Sequence, residues 1–176
     1  MLVTTRIKLR RLTIEDKQVL AKLINNKKVC DNLRDYVPFP YTEDDAINFI
    51  NFTKDENPQR NFAIEYEGNL CGMIGLIPLN DVYKRTAEIG YWIGEPFWGK
   101  GIATEAVRMI TEYGFNELNV IRIHTGVFEY NPGSMRVLEK NGYKKDCVFE
   151  KAILKNGKIW DEHRYSKINE AYQSNK

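Results

Sequence analysis

The middle of this chain holds the stretch that decides its fold. It reads Gly94-Glu95-Pro96-Phe97-Trp98-Gly99-Lys100-Gly101-Ile102-Ala103-Thr104-Glu105-Ala106. Residues 86–93 before it predict a strand, and the small and apolar residues that recur after it every three or four positions predict a helix with one buried face. Glycine has no Cβ, so the N–H groups around Gly99 and Gly101 can turn toward one point, and the helix start adds further donors. The stretch predicts a diphosphate cradle, although glycines alone do not separate this from a connection that binds nothing.

Two other phosphate-binding motifs fit this stretch less well. A Walker A loop matches from Gly94 through Lys100, but Gly101 then stands where a Ser or Thr hydroxyl should hold Mg²⁺. A dinucleotide fingerprint needs a third glycine after Gly99-Lys100-Gly101, and the next three residues are Ile102-Ala103-Thr104. Both motifs are therefore disfavoured.

Composition favours one ordinary domain spanning residues 1–176. The chain is 43% hydrophobic, which is enough for a core, and its 26 basic and 24 acidic side chains give a net charge of only +2. Such a balance does not build the one-sided field of a nucleic-acid binder. Three scattered cysteines without a CxxC pair argue against a disulfide framework or a metal site. With neither a signal peptide nor a membrane-length apolar run, we expect a cytoplasmic protein.

The order of elements predicts a mixed α/β domain built around a single sheet. Patterning gives one strand, two helices, three strands, a helix, a strand, a helix and a hairpin, or about seven strands and about four helices. Thr13, Thr42 and Asn131 are expected to cap helices at their N-termini. The dipeptide Asn156-Gly157 is expected to turn the final hairpin.

Two segments resemble the GNAT superfamily of N-acetyltransferases. Residues 97–106 look like its acetyl-CoA pyrophosphate loop, written Q/R-x-x-G-x-G/A; Gly101 and Ala103 fill the last two defined positions, and Trp98 stands where Gln or Arg is commonest. Residues 131–143 resemble the N-x-x-S-x-x-x-L-x-x-x-G-F/Y stretch of the same family. The likeness runs from about Arg6 to Ile168. It is nearest to the Rim-type branch, which acetylates ribosomal-protein N-termini.

The resemblance implies a fold, a cosubstrate and a set of site residues. The fold is a central, mostly antiparallel, splayed sheet, and the cosubstrate is acetyl-CoA. The strand before the loop is implied to pair with the pantetheine arm and to aim an N–H at the acetyl oxygen. Asn131 is implied to lie near the pantetheine and Ser134 near the sulfur. The residues expected to bind acetyl-CoA are Trp92, Ile93, Trp98, Gly99, Lys100, Gly101, Ile102, Ala103, Thr104 and Asn131.

Acetyl transfer from a thioester to an amine needs a proton acceptor, a donor for the carbonyl oxygen and a proton source for the thiolate. Glu88, in an otherwise apolar strand, is the candidate base; an exposed or ion-paired strand glutamate is the alternative. Ser134 is the candidate acid, with Asn131 as a catalytic partner; the alternative is that Asn131 only caps the helix and Ser134 is merely tolerated in its first turn. Tyr143 is a second candidate donor, and His124 is expected to be structural.

The sequence does not decide between several possible acetyl acceptors. A protein N-terminal α-amine is favoured, with a small-molecule amine (polyamine, amino sugar or antibiotic) or a non-catalytic CoA-binding module as alternatives. Asp161, His163 and Tyr165 share one face of the last strand, as an acidic groove wall or as a solvated surface. We expect a monomer or homodimer with no nucleic-acid, membrane or metal partner.

Overall fold

The computed structural model describes residues 1–4 and 6–172. These residues form eight strands and five α-helices, against about seven and about four expected. The additions are the short strand at Leu2–Val3 and the one-turn helix at Lys27–Cys30. The strands are β1 Leu2–Val3, β2 Ile7–Arg10, β3 Asn61–Tyr66, β4 Asn69–Pro78, β5 Thr86–Ile93, β6 Arg122–Phe128, β7 Lys144–Lys155 and β8 Lys158–Ile168. The helices are α1 Lys17–Ile24, α2 Lys27–Cys30, α3 Glu43–Thr53, α4 Ile102–Asn116 and α5 Pro132–Lys140.

All strands belong to one sheet in the order β1-β2-β3-β4-β5-β6-β8-β7. The β5–β6 pair is parallel, whereas β1–β2, β2–β3, β3–β4, β6–β8 and β7–β8 are antiparallel. The expected mostly antiparallel sheet is therefore confirmed. The β5–β6 ladder joins residues 86–88 to residues 122–124 and ends there, although both strands continue.

The chain divides into two compact units. The first contains Met1–Gly75 and Tyr91–Ala106, and the second contains Leu76–Gly90 and Val107–Lys176. The core of the first unit lies where α1 and α3 pack against strands β3 and β4. Its buried members are Leu12, Leu20, Ala21, Ile24, Cys30, Tyr41, Ala46, Ile50, Ala63, Leu70 and Met73, and the half-buried Trp92 packs against them.

The core of the second unit forms between α4 and the strand β6. A Cβ added at Gly114 of α4 would lie 2.7 Å from Leu76 and 3.0 Å from Ile123, so only glycine allows the helix to lie this close to the sheet. Ile110, Ile123, Leu138 and Tyr165 are buried in this unit. The periodic pattern that predicted the helix therefore marks its packed face.

Capping residues begin the helices of the first unit as expected. Thr42 and Asp45 form a capping box at the start of α3. Thr13 and Asp16 form another, at a short 3₁₀ turn that leads into α1. The buried Asp16 carboxylate also pairs with Arg10 through two contacts of 2.8 Å. Burial acts to raise the pKa of Asp16, but the Arg10 guanidinium and the Thr13 donors outweigh it and hold that pKa below its usual value.

Candidate functional site

The glycine-rich stretch forms an exposed loop in the first unit, which we call the phosphate loop (residues 98–104). Gly99 and Gly101 have φ values of +75° and +78°, where a Cβ is strained. A Cβ added at either glycine would meet nothing within 4 Å, so this side of the backbone is open. Helix α4 begins at Ile102, and the Gly101 carbonyl accepts the Glu105 N–H at 3.1 Å.

In the part of the chain that the structure describes, the start of α4 has backbone donors without partners. Among the described residues, no acceptor takes a hydrogen bond from the N–H of Gly101, Ile102 or Ala103. These are the groups that a helix leaves without an internal partner. Together with the helix dipole they favour an anion, and Thr104 lies in the same first turn. The loop therefore has the backbone geometry that a diphosphate needs.

Two side chains of the loop, Trp98 and Lys100, make different contacts. The Trp98 indole donates its Nε1–H to the Ile93 carbonyl at 2.6 Å and so ties the loop back to β5, while the residue remains 45% exposed. The Lys100 ammonium lies 5.4 Å from the ring centre of Phe97 and 5.8 Å from that of Tyr66. Lys100 thus adds a positive charge beside the donors.

Residues of helices α1 and α2 contact the turn that leads into the phosphate loop. Asn26 donates to the Glu95 carboxylate at 2.6 Å, and Lys28 pairs with the same carboxylate. The Lys28 contact, followed by the Asn26 hydrogen bond, lowers the pKa of Glu95. A Cβ added at Gly94 would lie 2.7 Å from Leu23. The turn from β5 into the loop is therefore fixed by packing and by charge.

The end of β5 lies unusually close to β4. A Cβ added at Gly72 would stand 2.2 Å from the Trp92 carbonyl oxygen and 3.0 Å from Ile93. Gly72 therefore sets the backbone position of the two residues that were expected to pair with the coenzyme. No sequence motif marks Gly72, because the constraint comes from a neighbour twenty positions away. The half-buried Trp92 side chain packs against the core, as expected.

Asn131 and Ser134 lie together at the start of α5 in the second unit. The Asn131 side-chain oxygen accepts the Ser134 N–H at 3.0 Å, and both residues are half-buried. Asn131 is thus the helix cap that its sequence predicted. Tyr143, the alternative donor, is 3% exposed, and its hydroxyl lies 2.8 Å from the Thr111 hydroxyl. The interior position of Tyr143 favours Ser134 as the donor.

Glu88 occupies the last rung of the β5–β6 ladder, where its register partner is His124. Its neighbours Ala87 and Ile89 are buried on the opposite face, and Glu88 itself is half-buried. The His124 Nδ1 atom lies 3.0 Å from Nη2 of Arg164 on β8. Glu88 and His124 are therefore brought together by strand pairing.

A polar network extends from His124 across β6, β7 and β8. Arg164 donates to the buried Glu162 at 3.0 Å, while Arg122 donates to Asp146 at 2.6 Å. Ser166 also donates to Asp146, at 2.9 Å. A Cβ at Gly126 would lie 2.1 Å from Glu162 and 2.9 Å from Arg164, so this glycine makes room for that pair. Sequence reasoning missed this network because its members come from three strands. We call the network formed by Arg122, His124, Asp146, Glu162, Arg164 and Ser166 the polar network.

The three residues expected on one face of β8 have separate surroundings. Asp161 accepts the Lys151 N–H at 2.8 Å, within the irregular part of the β7–β8 pairing. The Tyr165 hydroxyl donates to Glu139 of α5 at 3.0 Å. Burial, followed by this contact with Glu139, raises the pKa of Tyr165 to about 12. The Nδ1 atom of His163 is buried and has no hydrogen-bond partner among the described residues. Asp161 therefore contacts the neighbouring strand of the hairpin, and Tyr165 connects β8 to α5.

Two other kinds of feature are absent from residues 1–4 and 6–172. No group of three or more His, Cys, Asp or Glu side chains there has the arrangement of a metal centre. In the same part of the chain, no helix combines the length and apolar character needed to span a membrane.

Comparison with known proteins gives the family. Residues 6–144 match the profile of the "Acetyltransferase (GNAT) domain". This chain belongs to the GNAT family. The expected acetyl-CoA-dependent N-acetyltransferase class is thereby confirmed, and the phosphate loop lies within the matched region.

Relatives of this GNAT protein differ in their named acceptors. "Uncharacterized N-acetyltransferase YnaD" of Bacillus subtilis (strain 168) is 31% identical over 97% of this chain and 98% of its own. "Putative ribosomal N-acetyltransferase YdaF" of the same organism is 38% identical, over 63% of this chain and 60% of its own. The spermidine N-acetyltransferase from Vibrio cholerae in complex with CoA and spermine has a TM-score of 0.80 and 26% identity, with 94% of this chain and 96% of that chain covered.

Proposed function

We propose that this enzyme transfers acetyl from acetyl-CoA to the N-terminal α-amine of a protein or peptide. The phosphate loop binds the diphosphate of the coenzyme through the N–H groups of Gly101, Ile102 and Ala103. Lys100 adds charge, and the backbone of Trp92 and Ile93 holds the pantetheine arm and the acetyl oxygen. The support for this assignment is the positive-φ loop with its open face and its donors.

In the proposed reaction, the amine nitrogen forms a bond to the thioester carbonyl carbon and the carbon–sulfur bond breaks. Glu88 takes the amine proton through water, and Ser134 gives a proton to the departing thiolate while Asn131 fixes the turn that holds it. The nitrogen loses one proton and the sulfur gains one, so the products are an amide and free CoA thiol.

The observation that favours one α-amine over a polycation is the pairing of the carboxylates of the polar network. Asp146 is bound to Arg122 at 2.6 Å, and Glu162 is bound to Arg164 at 3.0 Å. Both negative charges are therefore balanced by arginines of the same network. A polyamine carries several cations and needs several carboxylates without such partners. An α-amine has a pKa near 8, so one weak base suffices to activate it.

Acetylation of a polyamine is the second candidate, because the Vibrio cholerae relative was crystallised with spermine. The two candidates separate in a thiol-release assay with acetyl-CoA, comparing a panel of short peptides that have free N-termini with spermidine. We expect the best peptide to exceed spermidine in kcat/KM by about 100-fold. The N-terminally blocked form of that peptide is the control and should be inactive. Mass spectrometry should find the acetyl group on the first residue; turnover of spermidine alone would reject the proposal.

A further inference from the structure

The contact between His124 and Arg164 fixes the chemical form of His124. A guanidinium has donors and no acceptor, so the Nδ1 atom that lies 3.0 Å from Arg164 Nη2 must accept. In the neutral imidazole the proton then resides on Nε2. His124 is consequently a hydrogen-bond donor at Nε2 and has no lone pair left for a base.

The arginine that imposes this form is itself held in place. Arg164 donates to Glu162 at 3.0 Å, and its guanidinium lies 5.5 Å from the ring centre of Phe149. Gly126 leaves the space that this pair occupies. The guanidinium therefore contacts Glu162, Phe149 and His124, and these contacts fix the orientation of the His124 ring.

Glu88 and His124 present complementary groups side by side. They are register partners on neighbouring parallel strands, so their side chains stand on the same face of the sheet, about 4.8 Å apart at the backbone. Glu88 offers acceptor oxygens. His124 offers one Nε2–H, which has no acceptor among the described residues.

An N-terminal residue carries the matching pair of groups. Its α-amine is a donor, and its own carbonyl oxygen, three bonds from the amine nitrogen, is an acceptor. A polyamine has amines and no acceptor of this kind. We propose that His124 is a specificity-determining residue, whose Nε2–H binds the first carbonyl oxygen of a peptide acceptor while Glu88 receives the amine proton. This inference rests on the proposed acetylation of N-terminal amines.

The electrostatic surroundings keep His124 neutral. Burial lowers its pKa, and the charges of Arg164 and Arg122 lower it further; Glu88 and Asp146 act in the opposite direction without reversing the shift. The ring therefore stays in its neutral form at pH 7.

Two variants test the role of this donor. In His124→Gln the side-chain amide places an N–H near the Nε2 position, so kcat/KM for a peptide should stay within about threefold of the wild type. In His124→Ala the donor is lost, and kcat/KM for the peptide should fall about tenfold. Isopropylamine has no carbonyl, so its kcat/KM should change less than threefold in either variant. CoA affinity and thermal unfolding show whether the variants are folded.

The tautomer is tested without any turnover. The chain has two histidines, so in His163→Gln the remaining ¹⁵N-imidazole signals belong to His124. We expect a protonated Nε2 and an unprotonated Nδ1 at pH 7. A proton on Nδ1 would overturn the inference, as would equal losses for peptide and isopropylamine in His124→Ala. If the wild-type enzyme acetylates no peptide, the proposed function is refuted instead. The NMR experiment tests the tautomer of His124 independently of that result.

Discussion

Substitution of Gly101 tests whether the phosphate loop binds the coenzyme. Gly101 has a φ of +78°, and a Cβ added there would project into open space. The methyl of Gly101→Ala therefore meets no protein atom, and its cost to folding is the cost of the backbone conformation. The same methyl stands on the face where the diphosphate is proposed to bind. Folding and binding should then respond to different degrees.

The structure sets the size of both effects. A left-handed backbone costs an L-residue about 1–2 kcal/mol. For a chain of this size that corresponds to a fall in Tm of about 2–8 °C. The loss of CoA affinity is a separate effect. Phosphate oxygens reach backbone N–H groups at about 2.9 Å, and a methyl group prevents that approach. We expect CoA affinity to fall at least tenfold, or about 1.4 kcal/mol.

A matched control separates these effects. Gly157 in the β7–β8 turn has a φ of +72° and is equally open, so Gly157→Ala carries the same backbone strain. Calorimetric titration with CoA should show wild-type affinity for Gly157→Ala and weakened affinity for Gly101→Ala. The fall in Tm should be similar in both. If the two variants bind CoA equally well, the phosphate loop is not the coenzyme site.

Three further changes test the rest of the structure. Ser134→Ala should lower kcat by about 10–100-fold and leave CoA affinity within about twofold, as measured by turnover and calorimetry, because the hydroxyl is proposed to protonate the departing thiolate; a loss of affinity alone would contradict this proposed role. Gly72→Ala should destabilise the fold by about 1–3 kcal/mol in urea unfolding, because its methyl would collide with the Trp92 carbonyl; Gly90→Ala, which meets no atom within 4 Å, should be tolerated. Asp16→Asn should destabilise by about 1–3 kcal/mol at pH 7. The pKa of Asp16 is lowered on folding, so its contribution to stability is complete above the unfolded pKa of about 4 and is lost as pH falls through the folded pKa. The stabilities of the variant and the wild type should therefore converge in acid. A constant difference in unfolding free energy down to about pH 2 would show that the charge is irrelevant.

Local sequence predicted most of the elements because their causes are local. Helix caps at Thr42 and Asn131 need a side chain only three residues from its partner, and both form as expected. The positive φ values at Gly99, Gly101 and Gly157 follow from residue type and turn position. By contrast, β1, with two residues, and α2, with four, are too short for any periodicity to appear.

The sequence by itself determined the family, the glycine loop before α4 and the cap at the start of α5, since these motifs are contiguous along the chain. Tertiary structure alone decided the position of Gly72 against Trp92 and the form of His124 beside Arg164. In both cases the partners are twenty or more residues apart and meet only through strand pairing. Backbone approach and proton position depend on those distances in space, which no local pattern of residues encodes.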